Sequence, residues 1–124
     1  MSQNITSFVE VKNLKKYFKV GKGTLHAVDD LSFCINSGET LGLVGESGCG
    51  KSTTGRTLIR LLDADGGQVL FKGEDVMKYD KKQMKNFRQN VQMVFQDPYS
   101  CLNPRLSIYE LISEPLWNVP AYKN

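Results

Sequence analysis

Apolar and polar residues alternate in two early stretches of the chain, Phe8 to Val11 and Leu25 to Ile35. Because successive side chains of a strand point to opposite faces, this alternation predicts strands with one buried face. Gly21 to Gly23 marks a turn between them, and Asn36 to Glu39 marks a second tight turn. Gln68 to Phe71 has the character of a further short strand. The pattern therefore predicts strands joined by tight turns.

Two other runs are apolar at nearly every position instead of alternating. Thr40 to Val44 reads TLGLV, and Val91 to Phe95 reads VQMVF. A short apolar strand bounded by glycine is typical of the buried middle of a sheet. We therefore expect a strand from each run, with the first one buried.

Three segments have the apolar spacing of helices, namely Lys51 to Leu62, Asp80 to Gln89 and Leu106 to Leu116. The residues expected to face inward are Leu58, Leu61 and Leu62, then Met84, Phe87 and Val91, and finally Leu111 and Leu116. The basic residues between Lys78 and Arg88 lie opposite the apolar face of the second helix. They are interpreted either as a solvated helix face or as a patch that binds nucleic acid. A loop with two prolines, Gln96 to Arg105, precedes the third helix.

The segment Gly45 to Ser52 reads GESGCGKS and fits the pattern G-x-x-x-x-G-K-[ST] at every fixed position. It follows an apolar run and opens a predicted helix, which is the context that this motif requires. Its glycines let the backbone curl until consecutive N–H groups point at one centre, and the helix N-terminus adds partial positive charge. The pattern predicts a phosphate-binding loop.

Each residue at the end of this loop has a chemical role in such a site. Lys51 can place its ammonium between the β- and γ-phosphates, Ser52 can ligate Mg²⁺ through its hydroxyl, and Thr53 can contact the α-phosphate. Cys49 lies inside the loop, either as a small residue that fits the curl or as a thiol activated by the helix N-terminus.

Composition narrows the class of protein. The 124 residues are 40% hydrophobic and 23% charged, which excludes a disordered tail and a membrane span. A formal charge of +3 gives no argument for nucleic acid as a partner.

The three cysteines and the single histidine, His26, do not have the spacing of a zinc site or a disulfide framework. Met1 to Thr6 lacks a signal-peptide pattern, so we expect a cytoplasmic chain, which leaves docking on a membrane partner open.

A second motif supplies a resemblance to a known family. Val91 to Arg105 reads VQMVFQDPYSCLNPR, and together with GESGCGKST it resembles the ATP-binding subunits of ABC transporters, above all those of oligopeptide and dipeptide importers. The likeness extends from Leu14 to Ser113. It implies an α/β fold with a P-loop NTPase core and an antiparallel β subdomain. Residues 1–124 would then be a partial ABC-type ATP-binding domain, the N-terminal half of the complete one.

Individual positions match the family's nucleotide site. The positions that match the Walker A loop are Gly45, Ser47, Gly48, Gly50, Lys51, Ser52 and Thr53. Gln96 matches the Q-loop glutamine, which implies contact with Mg²⁺ and with the attacking water, and a loop that faces the permease's coupling helix. Phe18, with Tyr17 as the alternative, matches the aromatic residue that stacks on adenine. His26 does not match the family's switch histidine and is expected to be an ordinary strand residue.

Other family motifs do not occur in this sequence. No apolar run ending in Asp-Glu follows Gln96, and no LSGGQ-like segment is found, so the Walker B and signature motifs are missing. We therefore expect weak hydrolysis or none from this chain alone.

In the complete protein the resemblance implies that ATP hydrolysis drives peptide import. It also implies a second ATP-binding subunit as dimer partner and a peripheral location on the cytoplasmic face of the membrane. The alternatives left open are a soluble ABC-type ATPase, a small-molecule kinase, and a nucleotide-binding fragment without turnover.

Overall fold

The computed structural model describes residues 7–117 and 119. Its elements, in chain order, are β1 (Val9–Val20), β2 (Gly23–Ile35), α1 (Lys51–Leu58), β3 (Gly66–Phe71), β4 (Glu74–Asp75), a 3-10 helix (Val76–Lys78), α2 (Lys81–Asn90) and α3 (Ile108–Trp117). The chain divides into two compact units, Met1–Gln92 and Met93–Asn124. No helix in the described residues is long and apolar enough to cross a membrane.

The first unit is built on one antiparallel sheet with the strand order β2-β1-β3-β4. β1 lies in the middle, with Val9 opposite Ile35 of β2 and opposite Phe71 of β3. β1 runs far beyond the predicted Phe8 to Val11. Its register shifts after Val11, and Asn13 has a φ of 48°. This irregularity breaks the alternation, so the sequence pattern shows only the first part of the strand.

One face of this sheet packs against α2 to form the core of the unit. The buried apolar residues are Val11, Leu14, Val28, Val69, Val76, Met84 and Phe87. Helix α2 presents Met84 and Phe87 to the sheet and keeps its basic residues exposed. The predicted amphipathic helix is confirmed, with an observed start at Lys81 and Asp80 as its N-cap.

Helix α1 is shorter than predicted and ends at Leu58 instead of Leu62. Arg60 adopts a φ of 55°, and its guanidinium donates hydrogen bonds to the carbonyl oxygens of Val76 and Tyr79, at 3.3 and 2.8 Å. This turn takes Leu61 off the helix face and leaves it half exposed, whereas Leu58 packs against the core.

The strands predicted for Thr40 to Val44 and Val91 to Phe95 are wrong for this structure. No strand among the described residues pairs with either run, and Val44 and Val94 are 91% and 97% exposed. A strand requires a hydrogen-bonded neighbour, and apolar character alone does not supply one.

The second unit contains a turn-rich segment followed by α3. The predicted loop Gln96 to Arg105 is confirmed, and Asp97 accepts hydrogen bonds from the amides of Tyr99 and Ser100. Ser107 and Glu110 cap α3 through reciprocal hydrogen bonds. Leu116 was predicted to face inward, but it is 45% exposed.

Candidate nucleotide-binding site

The loop from Gly45 to Gly50 leads directly into α1, and two of its glycines have positive φ. Gly48 has a φ of 78° and Gly50, the N-cap of α1, a φ of 95°. Any side chain at Gly50 would collide with the carbonyl oxygen of Ala27 in β2. Glycine is therefore required here both by the backbone conformation and by the close approach of β2.

The Lys51 side chain folds back across the loop. Its ammonium donates hydrogen bonds to the carbonyl oxygens of Gly45 and Glu46, at 2.7 and 2.6 Å, and lies 3.4 Å from the Cys49 sulfur. The loop carbonyls thus fix a positive charge at the centre of the curl. An anionic group entering there would meet this charge directly.

The first turn of α1 adds backbone donors beside this charge. The first helical hydrogen bond of α1 is donated by Thr54 to Gly50, at 2.8 Å, so the N–H groups of Lys51, Ser52 and Thr53 have no intrahelical acceptor. Gly50 supplies no side-chain cap, and the first turn contains no acidic residue. The N-terminus of α1 therefore has the donors and partial positive charge that suit a phosphate.

Ser52 provides an oxygen ligand of the type that Mg²⁺ prefers. Its side chain is exposed in the first turn of α1, and no residue that the structure describes forms a hydrogen bond with its hydroxyl. Gln96 is exposed at a bend in the second unit. Ser52 therefore fits the ion chemically, while the magnesium role of Gln96 stays a prediction.

Cys49 fills space inside the loop. A side chain at Gly45 would collide with the Cys49 sulfur, which lies within reach of the Lys51 ammonium. These contacts agree with a small residue that fits the curl. All three cysteines of the sequence are free and exposed.

Tyr17 and Phe18 project from opposite faces of β1. Tyr17 stacks on His26, with ring centroids 4.0 Å apart, and its hydroxyl donates a hydrogen bond to Asp29 at 2.6 Å. That hydrogen bond raises the pKa of Tyr17 to about 12 and lowers the pKa of Asp29, which His26 also contacts. Tyr17 is thus engaged within the sheet, and His26 is a residue of β2, as predicted.

Phe18 lies on the same side of β1 as Lys16, whose ammonium is over the Phe18 ring at 5.4 Å from its centroid. Lys16 lies opposite Val28 of β2. Val28 also lies next to the loop, because a Cβ atom built on Gly50 would be 3.9 Å from Val28 Cγ2. The loop therefore contacts β2 at the residue that is paired with Lys16. Of the two aromatic candidates, Phe18 is therefore the one on the side of the phosphate loop.

Sequence reasoning missed one residue of this region, Asp65. It lies in a segment that reads as a turn, DADGG, and belongs to no chemical motif. In the structure its carboxylate accepts a hydrogen bond from the Tyr17 amide at 2.7 Å and pairs with the Lys16 ammonium at 3.1 Å. These two contacts lower the pKa of Asp65.

The sequence profile of the ABC transporter family matches residues 28–123. The chain belongs to this family. It is 56% identical over 109 residues to the oligopeptide transport ATP-binding protein OppF of Bacillus subtilis, covering 87% of this chain and 36% of that protein. It is 48% identical over 120 residues to AppF of the same organism, again covering 36% of the relative. The chain therefore spans about a third of the length of these relatives.

Solved ABC cassettes share its fold. The dimeric structure of MJ0796, a bacterial ABC transporter cassette, superposes with a TM-score of 0.73 at 26% identity and covers 87% of this chain and 46% of that one. CbiO1 of Clostridium perfringens gives a TM-score of 0.68 at 28% identity, covering 92% and 43%. The predicted family and fold class are confirmed. The site residues and the domain bounds 1–124 stay predictions.

Proposed function

We propose that residues 45–53 of this ABC protein bind the triphosphate of ATP. The observation that carries this proposal is the Lys51 ammonium, fixed at the centre of the loop by the carbonyls of Gly45 and Glu46. The uncapped N–H groups of α1 begin at the same residue. A phosphate group is bound best where a charged donor lies beside free backbone donors at a helix N-terminus.

Relatives support this assignment. A second structure of the MJ0796 cassette, with a TM-score of 0.60 and 27% identity to this chain, is described as bound to ADP and Pi. The OppF and AppF relatives are named as ATP-binding proteins of oligopeptide transport. ATP is accordingly the nucleotide that we assign to this loop, with Ser52 as the residue of the loop that would hold Mg²⁺.

For the adenine base we assign Phe18 as the stacking residue. Tyr17, the alternative, is stacked on His26 and hydrogen-bonded to Asp29. Phe18 is half-buried on the face of β1 that meets the phosphate loop. A flat aromatic ring there offers a base affinity with little discrimination between bases.

In the complete protein we propose that ATP hydrolysis drives the import of oligopeptides through a membrane permease. The names of the relatives support the substrate class, and the dimeric MJ0796 cassette supports a second ATP-binding subunit as partner. Gln96 and its loop would contact the permease, and the protein would lie on the cytoplasmic face of the membrane. Lys51 and Mg²⁺ would offset the charge that develops on the transferred phosphoryl group.

Calorimetric titration with Mg-ATP tests nucleotide binding by the chain. Lys51→Ala is expected to abolish the binding heat, because it removes the ammonium that the carbonyls of Gly45 and Glu46 hold in the loop. Lys82→Ala, an exposed lysine of α2, is the matched control and should bind like the unmodified chain. Equal binding by Lys51→Ala and Lys82→Ala would refute the assignment of the loop.

Peptide import is tested with the full-length protein in cells that obtain an essential amino acid only from an added oligopeptide. Lys51→Ala is expected to stop growth on the peptide and to leave growth on the free amino acid unchanged. Growth of the variant on both sources would refute the importer role and favour a soluble ATPase.

A further inference from the structure

Asp65 fastens three consecutive residues of β1 just before Phe18. Its amide donates a hydrogen bond to the Lys15 carbonyl oxygen at 2.9 Å. Its carboxylate accepts one from the Tyr17 amide at 2.7 Å and pairs with the Lys16 ammonium at 3.1 Å. One residue thus restrains both the backbone of β1 and a side chain on the Phe18 face.

This contact falls where β1 loses its neighbour on one side. β3 begins at Gly66, which lies opposite Lys15, so the part of β1 beyond Lys15 is paired only with β2. The Asp65 carboxylate takes the place of the next acceptor in the β3 ladder. Asp65 therefore restrains β1 on its open side just before Phe18, while β2 continues to pair with the strand as far as Val20.

Lys16 links Asp65 to the Phe18 ring, because its ammonium contacts both. The Lys16 side chain is only 14% exposed, and its ammonium lies over the ring at 5.4 Å from the centroid. A cation over an aromatic face is attracted to the π electrons, and the ion pair with Asp65 limits the positions open to it. One face of Phe18 is thereby occupied, and a base can stack only on the other.

We propose that Lys16, held by Asp65, is a positioning residue that strengthens the stacking of a purine base on Phe18. The inference rests on the proposed assignment of Phe18 to adenine. The ammonium draws electron density from the ring, which favours stacking against an electron-rich purine. It also orders the ring before the nucleotide arrives, so that less conformational entropy is lost on binding.

The experiment compares two ligands, Mg-ATP and Mg-tripolyphosphate, by calorimetry on the whole chain. Tripolyphosphate has the phosphates without the base, so a change confined to Mg-ATP reports on stacking. Lys16→Met is expected to weaken Mg-ATP binding by about threefold to tenfold and to leave Mg-tripolyphosphate binding unchanged. Lys16→Arg keeps a cation and should restore Mg-ATP binding.

Lys12→Met is the matched control, because Lys12 is an exposed lysine of the same strand whose ammonium pairs with Glu10 at 3.1 Å. It should bind both ligands normally. Asp65→Asn is a second, independent variant, and we expect the same selective loss for Mg-ATP, smaller in size. Thermal unfolding by circular dichroism identifies any variant that is not folded. If either Lys16→Met or Asp65→Asn fails to fold, the ligand affinities of the other variant test the proposal.

Several results would overturn the inference. Unchanged Mg-ATP affinity in folded Lys16→Met would show that the cation does not assist stacking. Equal losses for both ligands would show that Lys16 acts on the phosphates. Other results would refute the proposed function itself. Normal Mg-ATP binding by Phe18→Ala would refute the assignment of Phe18 to adenine, and an unmodified chain that binds neither ligand would refute the assignment of the loop to the triphosphate.

Discussion

At the scale of single residues, the phosphate loop depends most strictly on Gly50. Its φ of 95° and the close approach of the Ala27 carbonyl oxygen both exclude a side chain. Gly50→Ala is expected to destabilise the fold by about 3 kcal/mol and to abolish Mg-ATP binding. Urea unfolding and calorimetry measure the two effects.

Gly42→Ala is the control for this substitution. A Cβ atom at Gly42 would meet no other atom within 4 Å, and its φ is not positive. It should therefore change stability by less than about 1 kcal/mol. Similar losses from both substitutions would show that the loop has no special requirement for glycine at its end.

Asp65 gives a prediction for acid pH. The Tyr17 amide and the Lys16 ammonium lower the pKa of its carboxyl in the folded chain, so ionised Asp65 stabilises the fold. That contribution is complete above the ordinary aspartate pKa of about 3.9 and is lost as pH falls through the lowered value. The urea midpoint should therefore fall less steeply in Asp65→Asn than in the unmodified chain below about pH 4. Parallel curves would contradict the role assigned to this carboxylate.

The residues of the site were predictable to different degrees. Lys51 and Ser52 follow from a motif with fixed spacing, because backbone curl and helix start are both local. The choice between Phe18 and Tyr17 is not local, since it depends on which face of β1 meets the loop. Asp65 could not be predicted, because its role arises from contact with a strand 48 residues away along the chain.

At the scale of elements, α2 begins with a complete capping box. The Gln83 amide donates a hydrogen bond to the Asp80 carboxylate at 2.8 Å, and the Asp80 amide donates one to the Gln83 side chain at 3.0 Å. Asp80→Ala should destabilise the first unit by about 1 kcal/mol, because α2 contributes Met84 and Phe87 to the core.

Urea unfolding measures this effect, with Lys82→Ala as the control on the same helix. The control should stay within about 0.5 kcal/mol of the unmodified chain. Should Asp80→Ala unfold at the same urea concentration as Lys82→Ala, the capping box would have no stabilising role.

Elements with regular local patterns were predicted well, and those that depend on neighbours were not. The strand predicted for Leu25 to Ile35 is observed as Gly23–Ile35. Its alternation of apolar and polar residues follows directly from the two faces of a strand. β1 was cut short in the prediction, since the irregularity at Asn13 hides the alternation. Thr40 to Val44 is apolar enough for a buried strand, yet apolar character does not reveal whether a partner strand is present.

At the scale of the whole molecule, we expect this chain to bind ATP without hydrolysing it efficiently. The proposed function gives this chain a phosphate-binding loop, whereas its sequence contains no Walker B carboxylate and no signature motif. We expect the purified chain to release little or no phosphate from Mg-ATP, because its sequence lacks the carboxylate that would orient the attacking water. A phosphate-release assay tests this, and robust turnover that Lys51→Ala abolishes would contradict it.

In the proposed site, the amides at the start of α1 and the Lys51 ammonium surround a triphosphate. Backbone amide NMR shifts on addition of Mg-ATP test it most directly, residue by residue. Large shifts are expected for Gly48, Gly50, Lys51, Ser52 and Thr53, and small ones in helix α2. Shifts confined to other parts of the chain, or none at saturating Mg-ATP, would contradict it.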